Sequence, residues 1–109
     1  MAILSSANVT TIADAMLGVL NKGGTALAQY VQSEAAKFAQ SIETIGQLYA
    51  SGQIDQSEAT AQLALQQSAS QTVLTSVEGI GAILAGQAIN AGLNAVAGIV
   101  NKAIGFALL

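Results

Sequence analysis

The sequence predicts an all-α protein, because three features of its composition favour helix along nearly the whole chain. None of its 109 residues is proline, so no position removes a backbone hydrogen-bond donor from a helix. Alanine is the commonest residue type, with 22 copies, and the helix formers leucine and glutamine are also abundant. The 11 glycines are unevenly placed, and their clusters mark where we expect helices to be interrupted.

Three interruptions divide this single domain, residues 1–109, into four helical segments. They lie at Gly23-Gly24, at Ser51-Gly52 and between Gly79 and Gly81. The first segment is a short helix over residues 11–22, and we expect Thr11 to be its N-cap. Its apolar residues Ile12, Met16, Val19 and Leu20 fall on one face.

The second and third segments, residues 25–51 and 55–78, are expected to form a long antiparallel helical hairpin. The second segment carries apolar residues at alternating spacings of four and three, which is typical of a helix that packs against another helix. These residues, called the seam below, are Leu27, Val31, Ala35, Phe38, Ile42, Ile45 and Tyr49. At the start of the third segment, Asp55 and Glu58 have the spacing of a capping box.

The fourth segment, residues 79–109, is apolar and rich in glycine and alanine. No charge occurs between Glu78 and Lys102. As one helix, residues 79–101 would extend about 35 Å, which is enough to cross a hydrocarbon core of about 30 Å. We expect Gly79 and Gly81 to form a hinge before this helix.

Two polar and small-residue patterns run along the fourth segment. Amide side chains at offsets of three, four and seven share one helical face, and we expect them to line a lumen or a helix–helix contact: Gln87, Asn90, Asn94 and Asn101. Each of three glycines follows a small residue by four positions, a spacing that permits close helix packing: Gly86, Gly92 and Gly98. An apolar segment of this kind must be covered, either by a bilayer or by protein, and both alternatives are open.

The composition argues against catalysis. The chain has no histidine and no cysteine, so the usual transition-metal sites and Cys/His nucleophiles are unavailable, and we expect no metal, cofactor or small-molecule substrate. Three lysines and no arginine give no basic surface for specific nucleic-acid recognition. Met1-Ala2-Ile3-Leu4 lacks the basic region of a signal peptide. With few large side chains, the chain is expected to share its core among copies in a homo-oligomer.

The Gln-rich helix from Gln56 to Thr75, followed by the apolar stretch from Gly79 to Val100, resembles the small internal virion or ejection proteins of tailed bacteriophages. This resemblance implies a virion protein that is expelled into the host cell envelope and assembles there into a membrane pore or conduit for the genome. Copies of itself, the lipid bilayer and other virion proteins would be its partners. Two alternatives are a structural virion or filament protein that buries its apolar helix between subunits, and a holin or pore-forming toxin.

Overall fold

Four helices make up most of residues 4–20, 25–77 and 79–109, which are the residues described by the computed structural model. They are α1 (Ser6–Leu20), α2 (Thr25–Ala50), α3 (Gln56–Thr75) and α4 (Ala82–Ile104). No strand occurs among these residues, which confirms the all-α prediction. The predicted break at Gly23-Gly24 and the predicted helix end at residue 22 lie outside the described residues. Helix α3 ends at Thr75, three residues before the predicted end at 78, because Ser76 caps it there.

Helix α1 begins at Ser6, five residues before the predicted start at Thr11, so that prediction is wrong. The cap is Ser5, whose hydroxyl accepts a bond from the backbone N–H of Asn8 at 3.3 Å. The Asn8 side chain returns the interaction by accepting from the Ser5 N–H at 2.9 Å. Thr11 lies inside the helix, and its hydroxyl donates to the Ala7 carbonyl at 3.0 Å. Ser5 and Thr11 are both residue types that cap helices, and the helix is capped by Ser5.

The turn between α2 and α3 agrees with its prediction. Gly52 has a left-handed backbone (φ +76°), and the N–H of Gln53 donates to the Leu48 carbonyl at 3.0 Å, as in a Schellman motif. The capping box follows: the Glu58 N–H donates to Asp55 Oδ1 at 2.7 Å, and the Asp55 N–H donates to Glu58 Oε1 at 3.1 Å. Both ends of the turn are therefore set by local sequence.

The helices pack side by side, and each contacts its neighbours in the sequence. Helix α1 also packs on α4, which closes the bundle, and α2 contacts α4 across it. The six seam residues from Leu27 to Ile45 are all buried, and Tyr49 is partly buried. The chain thus buries an apolar core by itself, with α2 in contact with each of the other three helices. Association of copies stays a prediction.

Candidate functional site: helix α4

Helix α4 is shorter than the predicted segment 79–109, because a left-handed glycine lies on each side of it. Gly79 has φ +87° and Gly105 has φ +100°, and the helix occupies only Ala82–Ile104. Within the described residues it is the one helix that is long and apolar enough to cross a membrane. The same property is found in buried helices of soluble proteins, so the exposure of its faces matters.

The two faces of α4 differ in exposure. One face is buried in the bundle and consists of Ala85, Ala88, Ile89, Gly92, Leu93, Val96 and Val100. The other face is open to solvent although it carries no charge before Lys102. Ile83 is 80% exposed and Ile99 is 48% exposed. A helix of membrane-spanning length therefore presents a neutral, partly apolar surface to water.

Three members of the predicted polar stripe, Gln87, Asn90 and Asn94, lie together on this exposed face. Asn101 does not join them in an open surface, because its amide holds the backbone of Leu109. The Asn101 Nδ2 donates to the Leu109 carbonyl at 3.2 Å, and the Leu109 N–H donates to Asn101 Oδ1 at 3.0 Å. Within the chain, Asn101 is thus a clamp for the segment that follows α4.

The segment after α4 folds back onto the bundle, which the sequence analysis did not foresee. Leu108 is buried in the core, and the ring of Phe106 lies 4.9 Å from that of Tyr49, measured between centroids. Gly105 allows the reversal, since its left-handed backbone ends the helix with its N–H donating to the Asn101 carbonyl at 2.9 Å. The signal available in the sequence was Gly105 followed by apolar residues.

Grooves follow the borders of α4. A groove of about 170 Å³ separates α3 from α4, with Leu63, Leu93 and Leu108 among its apolar lining and Gln67, Asn90 and Asn94 among its amides. Another of about 220 Å³ lies between α2 and α4 and includes Tyr49 and Ile104. Since the lining side chains of the first groove carry no ionisable group, it offers no acid–base chemistry.

The largest groove, about 490 Å³, lies between α2 and α3, on the hairpin. Across it the Ser41 hydroxyl donates to Gln66 Oε1 at 3.1 Å, and Leu65 beside it is 72% exposed. Lys37 at its edge makes a 2.9 Å ion pair with Glu34, whose side chain is only 2% exposed. This pair secures a buried carboxylate, and nothing in the groove converges on a reacting atom.

The three glycines predicted to allow close packing differ in their surroundings. A Cβ built on Gly92 would lie 2.8 Å from Met16 Cγ, 3.0 Å from Ile12 Cγ2 and 3.2 Å from the Ile12 carbonyl oxygen. A Cβ on Gly86 would meet only Gln71 Nε2, at 3.6 Å, and one on Gly98 would meet nothing within 4 Å. Within the chain, α4 is thus in close contact with another helix at Gly92, whereas Gly98 lies on the exposed face, and its packing against a further helix stays a prediction.

The predicted hinge glycines have different backbones. Gly79 is left-handed, whereas Gly81 is extended and is the N-cap of α4. Between them Ile80 is buried, and its N–H donates to the Val77 carbonyl at 3.2 Å. The side chain of Gln71 also donates to the Ala82 carbonyl at 2.8 Å, which ties the start of α4 to α3. Motion about these glycines stays a prediction.

What the described residues offer chemically is apolar surface and neutral amides. They contain no group of three or more His, Cys, Asp or Glu side chains able to hold a metal ion. Such a surface suits contact with lipid or with another helix. Comparisons of the chain with protein-family models, with curated proteins and with solved structures find no match.

Proposed function

We propose that this chain is a non-enzymatic, membrane-interacting protein that assembles with copies of itself into a pore or conduit. The observation that carries the proposal is α4, a helix of spanning length whose solvent-exposed face has no charge before Lys102. On the resemblance stated above, it is an ejection component of a tailed bacteriophage, which is stored in the virion and then delivers DNA across the host envelope.

The four-helix bundle suits a water-soluble state of such a protein. In water, the apolar face of α4 is covered by the other three helices. In a bilayer this face would contact lipid or another apolar helix, so the same residues are hidden from water in both environments. Because the apolar face only exchanges one apolar environment for another, insertion needs no covalent reaction to drive it.

The stripe of Gln87, Asn90 and Asn94 supplies a reason for assembly. A side-chain amide is costly in hydrocarbon unless it faces a neighbouring helix or a water-filled lumen. On α4 the stripe lies away from the face with Leu93, Val96 and Val100. Helices that turn these amides toward a common axis would line a neutral lumen, one that does not hold a nucleic-acid backbone strongly.

A charge placed on α4 tests the proposal. Ala95 is exposed near the middle of the helix and lies about 100° around the helix axis from Asn94, outside the amide stripe. Ala95→Asp therefore leaves the bundle core unchanged, yet the aspartate would cost about 2.5–3.5 kcal/mol in contact with lipid at the centre of a membrane helix. We expect the wild type to release dye from anionic lipid vesicles and the variant to lose about a hundredfold in potency. The matched control is Ala61→Asp on the exposed face of α3, which should retain release. Equal release by both variants would contradict insertion of α4.

A structural virion or filament protein is the second candidate, and the exposed apolar residues Ile83 and Ile99 of α4 favour it, because contact with another subunit would cover them. Because α4 buries its apolar face within its own chain, the protein needs no membrane to be soluble. This candidate predicts a persistent soluble oligomer and no dye release by the wild type. A holin or toxin would instead lyse cells when the chain is expressed alone.

A further inference from the structure

Helix α4 contacts α1 more extensively than it contacts α2 and α3 together. Both helices are apolar, and each carries a single charged residue, Asp14 in α1 and Lys102 in α4. The two are called the apolar pair below. They come from opposite ends of the described chain, so their contact is tertiary and owes nothing to a connecting turn.

The closest point of the apolar pair is at Gly92. The absence of a side chain there lets Met16 and Ile12 of α1 reach the α4 backbone. A Cβ added at Gly92 would lie only 2.8 Å from Met16 Cγ and 3.0 Å from Ile12 Cγ2. Small residues at such a crossing give dense van der Waals contact, which holds helices together in lipid as well as in water. This contact is independent of the solvent outside the bundle.

The other borders of α4 are packed less completely. A groove lies along α3 and a second along α2, of about 170 Å³ and 220 Å³. At the α3 border, the residue facing Gly86 is the polar end of Gln71, at the ordinary distance of 3.6 Å. Separation along these borders would thus lose fewer close contacts than separation at Gly92.

We propose that the bundle opens between the apolar pair and the hairpin, so that α1 and α4 move as one unit and α1 accompanies α4 into the bilayer. The membrane step rests on the proposed function, whereas the opening does not. If α4 left alone, Ile12 and Met16, both fully buried, would lose their cover. If the pair leaves together, α1 gives up its contact with α2, but Ile12 and Met16 keep their contact with α4 at Gly92. The hairpin that remains in water holds most of the charge.

The chain has no cysteine, so introduced thiols can be joined selectively. In Met16→Cys with Gly92→Cys, Sγ would take the place of Met16 Cγ, 2.8 Å from the new Cβ, which suits a disulfide with Cβ atoms about 3.5–4.5 Å apart. A second pair, Gln71→Cys with Gly86→Cys, spans the α3–α4 border and is joined by a short bifunctional thiol reagent. The reduced form of each variant is its own control, and circular dichroism verifies folding.

We expect the α1–α4 disulfide to leave dye release within about twofold of the reduced form, and the α3–α4 cross-link to reduce it at least tenfold. Loss of release on oxidation of the first pair would overturn the inference, because α1 would then have to leave α4. Undiminished release with the second pair joined would overturn it too, since that border would not have to open.

Hydrogen exchange separates this inference from the proposed function. In urea without lipid, the slow amides of α1 and α4 should become exchangeable with one common free energy, below that of α2 and α3. If the amides of α4 exchanged together with those of α3, or if all four helices exchanged with the same free energy, α1 and α4 would not form a unit of their own and the inference would be refuted. If the wild type released no dye but showed this exchange pattern, the membrane function would be refuted, whereas the inference that α1 and α4 move as one unit would be supported.

Discussion

The apolar pair and the hairpin bury their residues in different ways. The hairpin contributes large side chains, among them Phe38, Ile42 and Leu74, and its helix α2 carries three charged residues. In the pair, three of the seven buried residues of α4 are small, namely Ala85, Ala88 and Gly92, and Gly92 lets α1 come into close contact with the α4 backbone. Both regions gain from buried apolar area, and the pair adds the dense van der Waals contact at Gly92. That contact does not depend on water, so it is the one expected to persist in lipid.

The largest effect is expected in the hairpin, at Phe38, the largest fully buried side chain. Phe38→Ala should lower the free energy of unfolding by about 3–5 kcal/mol, because it removes buried area and leaves a cavity. Val96→Ala in α4, equally buried, should cost about 2 kcal/mol. Urea unfolding followed by circular dichroism measures both. Equal losses would erase the difference between the two regions.

Gly92 and Gly98 give the sharpest test within α4, because the same substitution should act in opposite directions. Gly92→Ala places a Cβ against Met16 and Ile12 and should destabilise by about 1–3 kcal/mol. Gly98→Ala meets nothing within 4 Å and should stabilise the helix by about 0.5–1 kcal/mol. A gain from both would show that α1 and α4 are not in close contact.

The clamp after α4 should have an intermediate effect. Asn101→Leu removes both hydrogen bonds to Leu109 and should cost about 1–2 kcal/mol. Faster amide exchange and faster proteolysis are expected after Gly105, with α3 unaffected. Gln87→Leu, on the exposed face of the same helix and outside the groove that Leu108 and Leu109 line, is the control and should leave these rates unchanged.

The capping box concerns the hairpin alone. Asp55→Ala should cost about 1 kcal/mol, because the Glu58 N–H at the start of α3 loses its acceptor. Asp55→Ser keeps a capping oxygen and should recover most of that loss. Thermal unfolding would show both, and a serine variant as unstable as the alanine variant would contradict the capping role.

The smallest effect on folding is expected at the polar stripe. Asn90→Leu with Asn94→Leu changes exposed residues only and should alter stability by less than about 0.5 kcal/mol. The conductance of reconstituted protein should nevertheless fall, because the lumen would lose its amides. Gln29→Leu with Gln32→Leu on the exposed face of α2 is the matched control. Unchanged conductance would remove the lumen-facing assignment, though not insertion itself.

Local signals in the sequence were sufficient for the hairpin. The seam of α2, Gly52 and the Asp55 cap each depend on residues a few positions apart, and the structure shows each of them. The helical class followed from composition for the same reason. Propensity, capping and periodicity act within one or two turns of chain.

Tertiary features could not be obtained in this way. Gly92 and Gly98 share one spacing pattern, and only the position of α1 makes the first indispensable. Asn101 continues the periodicity of the amide stripe, yet the reversal at Gly105 brings Leu109 within its reach. The predicted start of α1 is wrong because the residue type of Thr11 permits a cap, whereas Ser5 makes the capping hydrogen bond in the structure. Each of these errors concerns either a contact with a residue that is distant in sequence or a choice between nearby residues whose types both cap helices.

The packing of α1 on α4 also imposes an order on synthesis. The 61 residues from 21 to 81 must be made after α1 before the first residue of α4 exists. At about 5–20 residues per second, a ribosome needs about 3–12 seconds for that stretch. During that interval Ile12 and Met16 have no α4 to cover them, and closing so long a loop is entropically costly. A nascent chain of this protein therefore presents its earliest apolar helix to chaperones and membranes before the native partner of that helix has been translated.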